Sequence, residues 1–314
     1  FGGILSRRKH QDDAQELTQY GILPFDMVVV DLYPFEETLA AGGDHQSIIE
    51  KIDIGGISLI RAAAKNYEHV AVVPSMAYFN EVEELLNQQQ GTTMLSDRRR
   101  LAAAALHVSS HYDTAIFNYL NQDMLPVFKQ SIPDVTALRY GENPHQQARY
   151  FGDLSQWFDQ LNGKPLSYNN LLDVDAAVEL ISAFNEPAFA IIKHTNPCGI
   201  ACREGIEQAW TDALAGDPVS AFGGVLIANR TVNELLAKEI SKLFFEVLIA
   251  PEFEPAALEI LTAKKNRILL RQKHTKSSSG RFRSVLNGVL WQTADDKDSS
   301  PAAWVVSTKR RPEP

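Results

Sequence analysis

The run AFAIIKHTNP, residues 188–197, reads as a buried strand that ends abruptly on polar residues. Five apolar residues from Ala188 to Ile192 suit a strand covered on both faces, and Lys193-His194-Thr195-Asn196-Pro197 then stops it. In open α/β sheets ligands bind beyond the carboxyl ends of strands, so a cation and an imidazole at such an end carry weight. Together Lys193 and His194 offer a charge stabiliser and a proton acceptor. A surface lysine beside a hydrogen-bonded histidine is the plain structural reading of the same pair.

Outward from this run the chain alternates strand and helix signals. Upstream, Asp173 is placed to cap a helix through Phe184; downstream, Glu204–Ala215 reads as a helix ending at Gly216 and Val219–Ala228 as a strand. Phe244–Ala250 and Val285–Trp291 are further strand candidates. In the first half, Phe25–Tyr33 reads as a buried strand, Ile57–Lys65 as a short helix after Gly55-Gly56, and Val70–Val73 as a strand. From Ser96 a longer helix repeats Leu101, Ala105, Val108, Tyr112, Ala115, Ile116 and Tyr119 at three- and four-residue steps. The alternation in the first half predicts a parallel sheet there, within an α/β fold. Periodicity lapses between Asp123 and Asp134, where Pro126 and Pro133 bracket a domain boundary.

Composition narrows the classes. With 314 residues, 45% hydrophobic and 22% charged, the chain can bury two cores of ordinary domain size. A formal charge of −9 argues against nucleic-acid binding and requires any anion site to be built locally. The basic tract Lys264–Arg283 is one local cluster, but its Ser277-Ser278-Ser279-Gly280 centre reads as a solvated loop. No run of eighteen apolar residues occurs, and Phe1-Gly2-Gly3-Ile4-Leu5 has neither part of a secretory signal, so the expectation is a soluble, cytoplasmic protein with no membrane partner. Cys198 and Cys202 are the two cysteines; their spacing is one residue too long for the P-C-x-x-C part of zinc deaminases, and no metal is expected.

Other polar runs are ambiguous alone. Tyr33 lies where Pro34 ends a strand. Ile52-Asp53-Ile54-Gly55-Gly56 could present backbone N–H groups to an anion or simply turn the chain. Ser220-Ala221-Phe222-Gly223-Gly224, read inside a strand, could admit a planar ligand or form a bulge. The runs Leu138–Gln146 and Leu166–Asp173 are turn-rich, and no local rule gives them a ligand.

Taken in order, these runs resemble the bifunctional purine biosynthesis enzymes that join AICAR transformylase to IMP cyclohydrolase. Residues 1–128 are similar to the cyclohydrolase portion and 131–314 to the transformylase portion. The resemblance implies a methylglyoxal-synthase-like α/β domain followed by a cytidine-deaminase-like one without zinc. It also implies formyl transfer from 10-formyltetrahydrofolate to AICAR, then dehydrative closure of formyl-AICAR to IMP. No tightly bound cofactor is implied, and the family's state is a homodimer. Lys193 and His194 match the transformylase catalytic pair. Arg139 and Tyr140 match nucleotide-holding positions, Asn170 an active-site amide, Phe222 and Gly223 the segment against the aminoimidazole, and Glu246 an acidic active-site position. Tyr33, Asp53 and Lys65 match the closure residues, with Gly55 in the same loop. Phe1 stands where the family has a histidine, and the family's segments before it and after Pro314 have no counterpart here, which implies an internal stretch. The alternative expectation is a noncatalytic nucleotide-binding or dimerisation fragment.

Overall fold

The computed structural model describes residues 1–273, 280–295 and 305–310. The chain forms two compact units, Phe1–Pro133 and Asp134–Pro314. No helix among the described residues is long and apolar enough to cross a membrane.

In unit 1 the elements run α1 (Gly2–Leu5), α2 (Gln11–Tyr20), β1 (Met27–Val29), α3 (Phe35–Ala40), α4 (His45–Ile49), α5 (Gly55–Lys65), β2 (Ala71–Val73), α6 (Phe79–Gln88) and α7 (Leu95–Asn121). Strands β1 and β2 pair in parallel, Val28 opposite Val72. β2 is buried throughout, and Ile60, Ala62, Ala63 and Ala64 of α5 pack with it against Leu101, Ala102 and Ala105 of α7. Small alanines on α5 let its axis approach the strands closely, while the 3–4 spacing on α7 keeps one stripe inward. The expected strand from Phe25 to Tyr33 shrinks to three residues. Phe25, Val29 and Tyr33 are exposed, and the Asp31 carboxylate leaves the strand direction to accept the Met76 N–H at 3.2 Å. Of the three residues of β1 only Val28 is buried, so the strand lacks the full burial that its apolar sequence led us to expect.

Unit 2 contains β3 (Val135–Leu138), β4 (Ala148–Phe151), β5 (Phe158–Asn162), α8 (Tyr168–Ile181), β6 (Ala188–Lys193), β7 (Asn196–Cys202), α9 (Ile206–Gly216), β8 (Val225–Ala228), α10 (Glu234–Ile240), β9 (Val247–Ala250), α11 (Pro255–Thr262), β10 (Ile268–Gln272), β11 (Gly280–Val285) and β12 (Gly288–Thr293). Its main sheet has the order β5-β10-β9-β8-β6-β7, while β3–β4 and β11–β12 are separate antiparallel pairs. Alternation along the central strands divides two cores. Phe189, Ile191, Leu226, Ala228, Leu248 and Leu269 face α9, α10 and α11, whereas Ala190, Ile192, Val225, Ile227, Val247 and Leu270 face α8. Such double burial explains why β6, β8 and β9 read as uninterrupted apolar runs.

The sheet is mixed. Only β8–β9 and β9–β10 are parallel; β6 is antiparallel to both β7 and β8, and β5 to β10. His194 and Thr195, at φ 54° and 61°, turn the chain tightly from β6 into β7, a strand whose Pro-Cys-Gly run hid it. Two further readings need correction. Ser220–Gly224 is a turn before β8 and not part of a strand, because Asp217 folds the segment back by accepting the Ser220 N–H at 2.9 Å. Val285–Trp291 straddles the two-residue β11–β12 hairpin loop and is not one strand. Within the basic tract, residues 274–279 lie outside the described residues. Its flanks are strands, and Arg271 and Lys273 pair with Asp159 while Arg281 pairs with Asp175 and Glu179.

Candidate functional site

Because β6 runs against β8 and β9, its carboxyl end lies beside the amino ends of those strands. That reversal brings the polar end of the 188–197 run against the 217–224 turn. The Lys193 Nζ donates to the Phe222 carbonyl at 2.8 Å. Phe222 is 59% exposed, and its ring lies 5.0 Å from that of Phe244, tilted by 40°. Gly223 has φ 76°, a left-handed conformation that a side chain would strain, and its N–H donates to the Phe244 carbonyl at 2.8 Å. The glycine therefore lets the turn fold back without disturbing the Phe222 carbonyl.

His194 sits in the left-handed position of the β6–β7 turn, so the backbone projects its ring from the sheet end, where it is exposed. Strained backbone at non-glycine residues is costly and persists only where neighbours enforce it. Asp173 is one such neighbour: its carboxylate accepts the Thr195 N–H at 2.7 Å. Asn196 Nδ2 and Thr195 Oγ1 both donate to the His194 carbonyl, at 2.8 and 2.7 Å. Asp173 thus lies within α8 and braces the turn, where its sequence context had marked it as a helix cap.

The cap is Ser167. Its Oγ accepts the Asn170 N–H at 3.1 Å and its own N–H donates to Asn170 Oδ1 at 3.2 Å, a reciprocal capping box. Asn170 is 9% exposed. Beside it, Asn169 Nδ2 donates to the Glu142 carbonyl at 3.3 Å, which ties the Arg139–Gln146 loop to the start of α8. Within that loop the Arg139 guanidinium lies 5.2 Å from the Tyr140 ring centre. One helix start therefore gathers the Arg139-Tyr140 loop, Asn170 and the His194 turn.

Glu246 directly precedes β9 and pairs with Lys164 at 2.6 Å. Its N–H donates to the Gly224 carbonyl at 3.1 Å, so it too is anchored to the 217–224 turn. The Asp217 carboxyl is held below its usual range by the Ser220 hydroxyl and N–H, with Lys193 nearby adding to the effect. Burial pushes the Cys198 thiol up, reinforced by Asp217. Among the described residues no group of three or more His, Cys, Asp or Glu side chains is arranged to hold a metal ion.

In unit 1 the candidates are more dispersed. Asp53 is buried, and its Oδ1 accepts the Gly56 N–H at 2.6 Å in the first turn of α5. An added Cβ at Gly56 would meet that carboxylate at 2.6 Å, whereas at Gly55 it would meet open space. The steric need for glycine falls on Gly56; Gly55 leaves room at the helix start. Lys65 is the last residue of α5, eleven residues long, so about 15 Å of helix rise separates it from the Asp53 end. Lys65 is exposed there. Tyr33 is exposed, with the Lys51 ammonium 6.0 Å from its ring centre.

Several contributors were not singled out from the sequence. Tyr112 appeared only as a core position of α7, but its hydroxyl donates to the Lys51 carbonyl at 2.5 Å and accepts the Asp53 N–H at 2.8 Å. Burial raises its pKa. Lys164, Phe244 and Asp217 were also missed. Nothing in their local sequence marks them, because each acquires its role from a strand or turn distant in the chain.

Unit 2 is thus an α/β unit that sets a lysine ammonium and an exposed imidazole at one end of a mixed sheet. The comparisons with known proteins are specific. The family model described as "AICARFT/IMPCHase bienzyme" matches residues 63–314, and the chain belongs to that family. It is 52% identical over 314 residues to the "Bifunctional purine biosynthesis protein PurH" of Bacteroides thetaiotaomicron, covering 100% of this chain and 62% of that protein. Proteins with the same description from Lactococcus lactis subsp. cremoris strain SK11 and Chloroflexus aurantiacus are 42% and 43% identical, each over 99% of this chain and 63% and 62% of their own lengths. The chain thus spans a little under two thirds of the length of these relatives. A solved structure described as "Crystal structure of ForH" aligns at 32% identity with a TM-score of 0.30, over 37% of this chain and 60% of that one.

Proposed function

We propose that the gene product containing this chain performs the last two steps to IMP: formyl transfer from 10-formyltetrahydrofolate to AICAR, then dehydrative closure of formyl-AICAR. The observation that carries this reading is the 2.8 Å contact from Lys193 to the Phe222 carbonyl, which joins two transformylase-like runs at one sheet end beside His194. Kinship with proteins described as bifunctional purine biosynthesis enzymes supports it.

In the first step the AICAR amine nitrogen bonds to the formyl carbon and the carbonyl electrons move to oxygen. That amine is conjugated with its ring and is a poor nucleophile, so a positioned base that takes its proton as the bond forms matters; His194 fills that role. Lys193 stabilises the oxyanion by donating a charged hydrogen bond. When the intermediate collapses, the folate nitrogen leaves and takes a proton. Arg139 and Tyr140 hold the nucleotide, Asn170 donates to it through Nδ2, Phe222 and Gly223 lie against the aminoimidazole, and Glu246 completes the wall. These roles belong to a cytidine-deaminase-like domain.

In the second step the carboxamide nitrogen attacks the formyl carbon of the same molecule and water is lost, so orientation is the chief demand. Tyr33 and Lys65 polarise and move the proton, Asp53 positions the amide, and the open face of Gly55 admits the substrate, in a methylglyoxal-synthase-like domain. The 15 Å scale of α5 means that Lys65 and Asp53 would act from opposite sides of the ligand. The assembly we propose is a cytoplasmic homodimer with AICAR, formyl-AICAR, IMP and the folate as its partners.

The test is His194→Ala in that gene product. Formyl transfer should fall about 10²–10⁴-fold, while closure of supplied formyl-AICAR persists. Unchanged formyl transfer would refute the assignment.

A further inference from the structure

Apart from the residues assigned above, unit 1 sets a hydroxyl, an imidazole and a carboxylate in series. His111 Nδ1 lies 2.9 Å from Ser131 Oγ, and His111 Nε2 lies 3.1 Å from Glu36 Oε2. The three come from different segments: Glu36 from the first turn of α3, His111 from α7, and Ser131 from the chain that follows α7. Packing fixes their approach. Phe35, buried at the start of α3, meets the Tyr112 and Tyr119 rings edge-on at 6.0 and 5.9 Å, which lays α3 against α7 with Glu36 beside His111.

Ser131 is held in place as well. Residues 122–137 are exposed except for Ser131, which is half-buried. Two further contacts lay the same segment on α7: Asn118 Nδ2 donates to the Lys129 carbonyl at 3.4 Å, and the Lys129 ammonium stands 4.6 Å from the Phe117 ring centre. The His111 side chain is 23% exposed, so its ring is shielded while the hydroxyl beside it can still be reached by a small reagent.

The partners dictate where the protons sit. As a carboxylate Glu36 can only accept, so the neutral ring carries its proton on Nε2 and turns the Nδ1 lone pair toward Ser131. The Ser131 O–H then donates to Nδ1. An alcohol whose proton points at a base, with that base steadied by an anion, is the arrangement that activates a nucleophile. The two ring nitrogens exchange the places they hold in serine–histidine–acid triads, which are defined by geometry and role. We propose that Ser131 is an acyl-accepting nucleophile, with His111 as its base and Glu36 positioning the ring, and that it reacts with small activated esters. Ser131 Oγ bonds to the acyl carbon as its proton passes to His111 Nδ1. The ester C–O bond then breaks, its electron pair stays on the leaving oxygen, and the imidazolium returns the proton to that oxygen. The products are acyl-serine and a free alcohol.

The probe is p-nitrophenyl acetate, applied to the 314-residue chain, with acetylated peptides located by mass spectrometry. Ser131 should be acetylated, and Ser131→Ala should leave its peptide unmodified. His111→Ala should slow acetylation of Ser131 by about 10²-fold or more, and added imidazole should restore part of the rate, which a purely structural loss would not allow. Glu36→Gln should slow it less, with Glu36→Asp recovering part of the difference. Circular dichroism checks that each variant is folded. An unmodified Ser131 in the parent, acetylation confined to lysines, or an unchanged Ser131 rate in His111→Ala would each overturn the proposal.

Discussion

Unit 2 and unit 1 carry candidate residues from one reading of the sequence, yet they hold them very differently. In unit 2 a six-stranded sheet buried on both faces presents one end to which the His194 turn, the Phe222 turn and Glu246 are tied by backbone and side-chain hydrogen bonds. In unit 1 the sheet has two strands, and Tyr33, Asp53 and Lys65 lie on a strand exit, a helix start and a helix end. Rigid elements fix catalytic geometry better than loops do. If the proposed roles hold, formyl transfer should tolerate little disturbance at the sheet end, whereas closure should depend on a ligand to bring its residues into use.

The largest expected effect that sharpens this contrast lies in the core. Ile191 is fully buried in β6, two residues before Lys193, and Ile191→Ala should cost about 2–5 kcal/mol in urea unfolding. An effect below about 1 kcal/mol would mean that the sheet end is not rigidly supported. Next, Tyr112→Phe removes the hydroxyl that joins the Lys51 carbonyl to the Asp53 N–H; about 1–2 kcal/mol of stability should be lost. Closure should slow while formyl transfer is unaffected, and equal slowing of both would break the separation of the two units. Ser167→Ala opens the α8 capping box, with an expected cost of about 1 kcal/mol and slower formyl transfer through Asn170.

The smallest effect concerns pH. Asp217 has a lowered carboxyl pKa, caused first by the Ser220 hydroxyl and N–H. Its contribution is therefore present above the unfolded value of about 4 and lost as pH falls through the folded value. Urea midpoints of the parent and Asp217→Asn should differ at neutral pH and converge on acidification. A constant gap would show that the charge is irrelevant to the turn.

Much of this organisation was legible in residue order. The apolar runs of β6, β8 and β9 announced strands because both of their faces are covered, and the stripe on α7 announced a helix. Strand direction was not legible, since apolar content is the same for parallel and antiparallel neighbours. The two-residue His194-Thr195 turn lacks the glycine that ordinarily signals a hairpin, so β7 went unseen. The carboxyl-end rule still selected Lys193 and His194, but Phe222 and Glu246 approach them from the amino ends of β8 and β9, which that rule would have passed over. Asp173 shows the same limit: its sequence context marks a cap, and only tertiary structure makes it the brace of the His194 turn.

The proposed function requires two separable sites, one fixed at the sheet end of unit 2 and one dispersed in unit 1. The direct measurement is both half-reactions assayed on Lys193→Met and Lys65→Met in the gene product containing this chain. Lys193→Met should abolish formyl transfer and spare closure of supplied formyl-AICAR, and Lys65→Met should do the reverse. Loss of both activities in either variant, with the fold intact by circular dichroism, would contradict it.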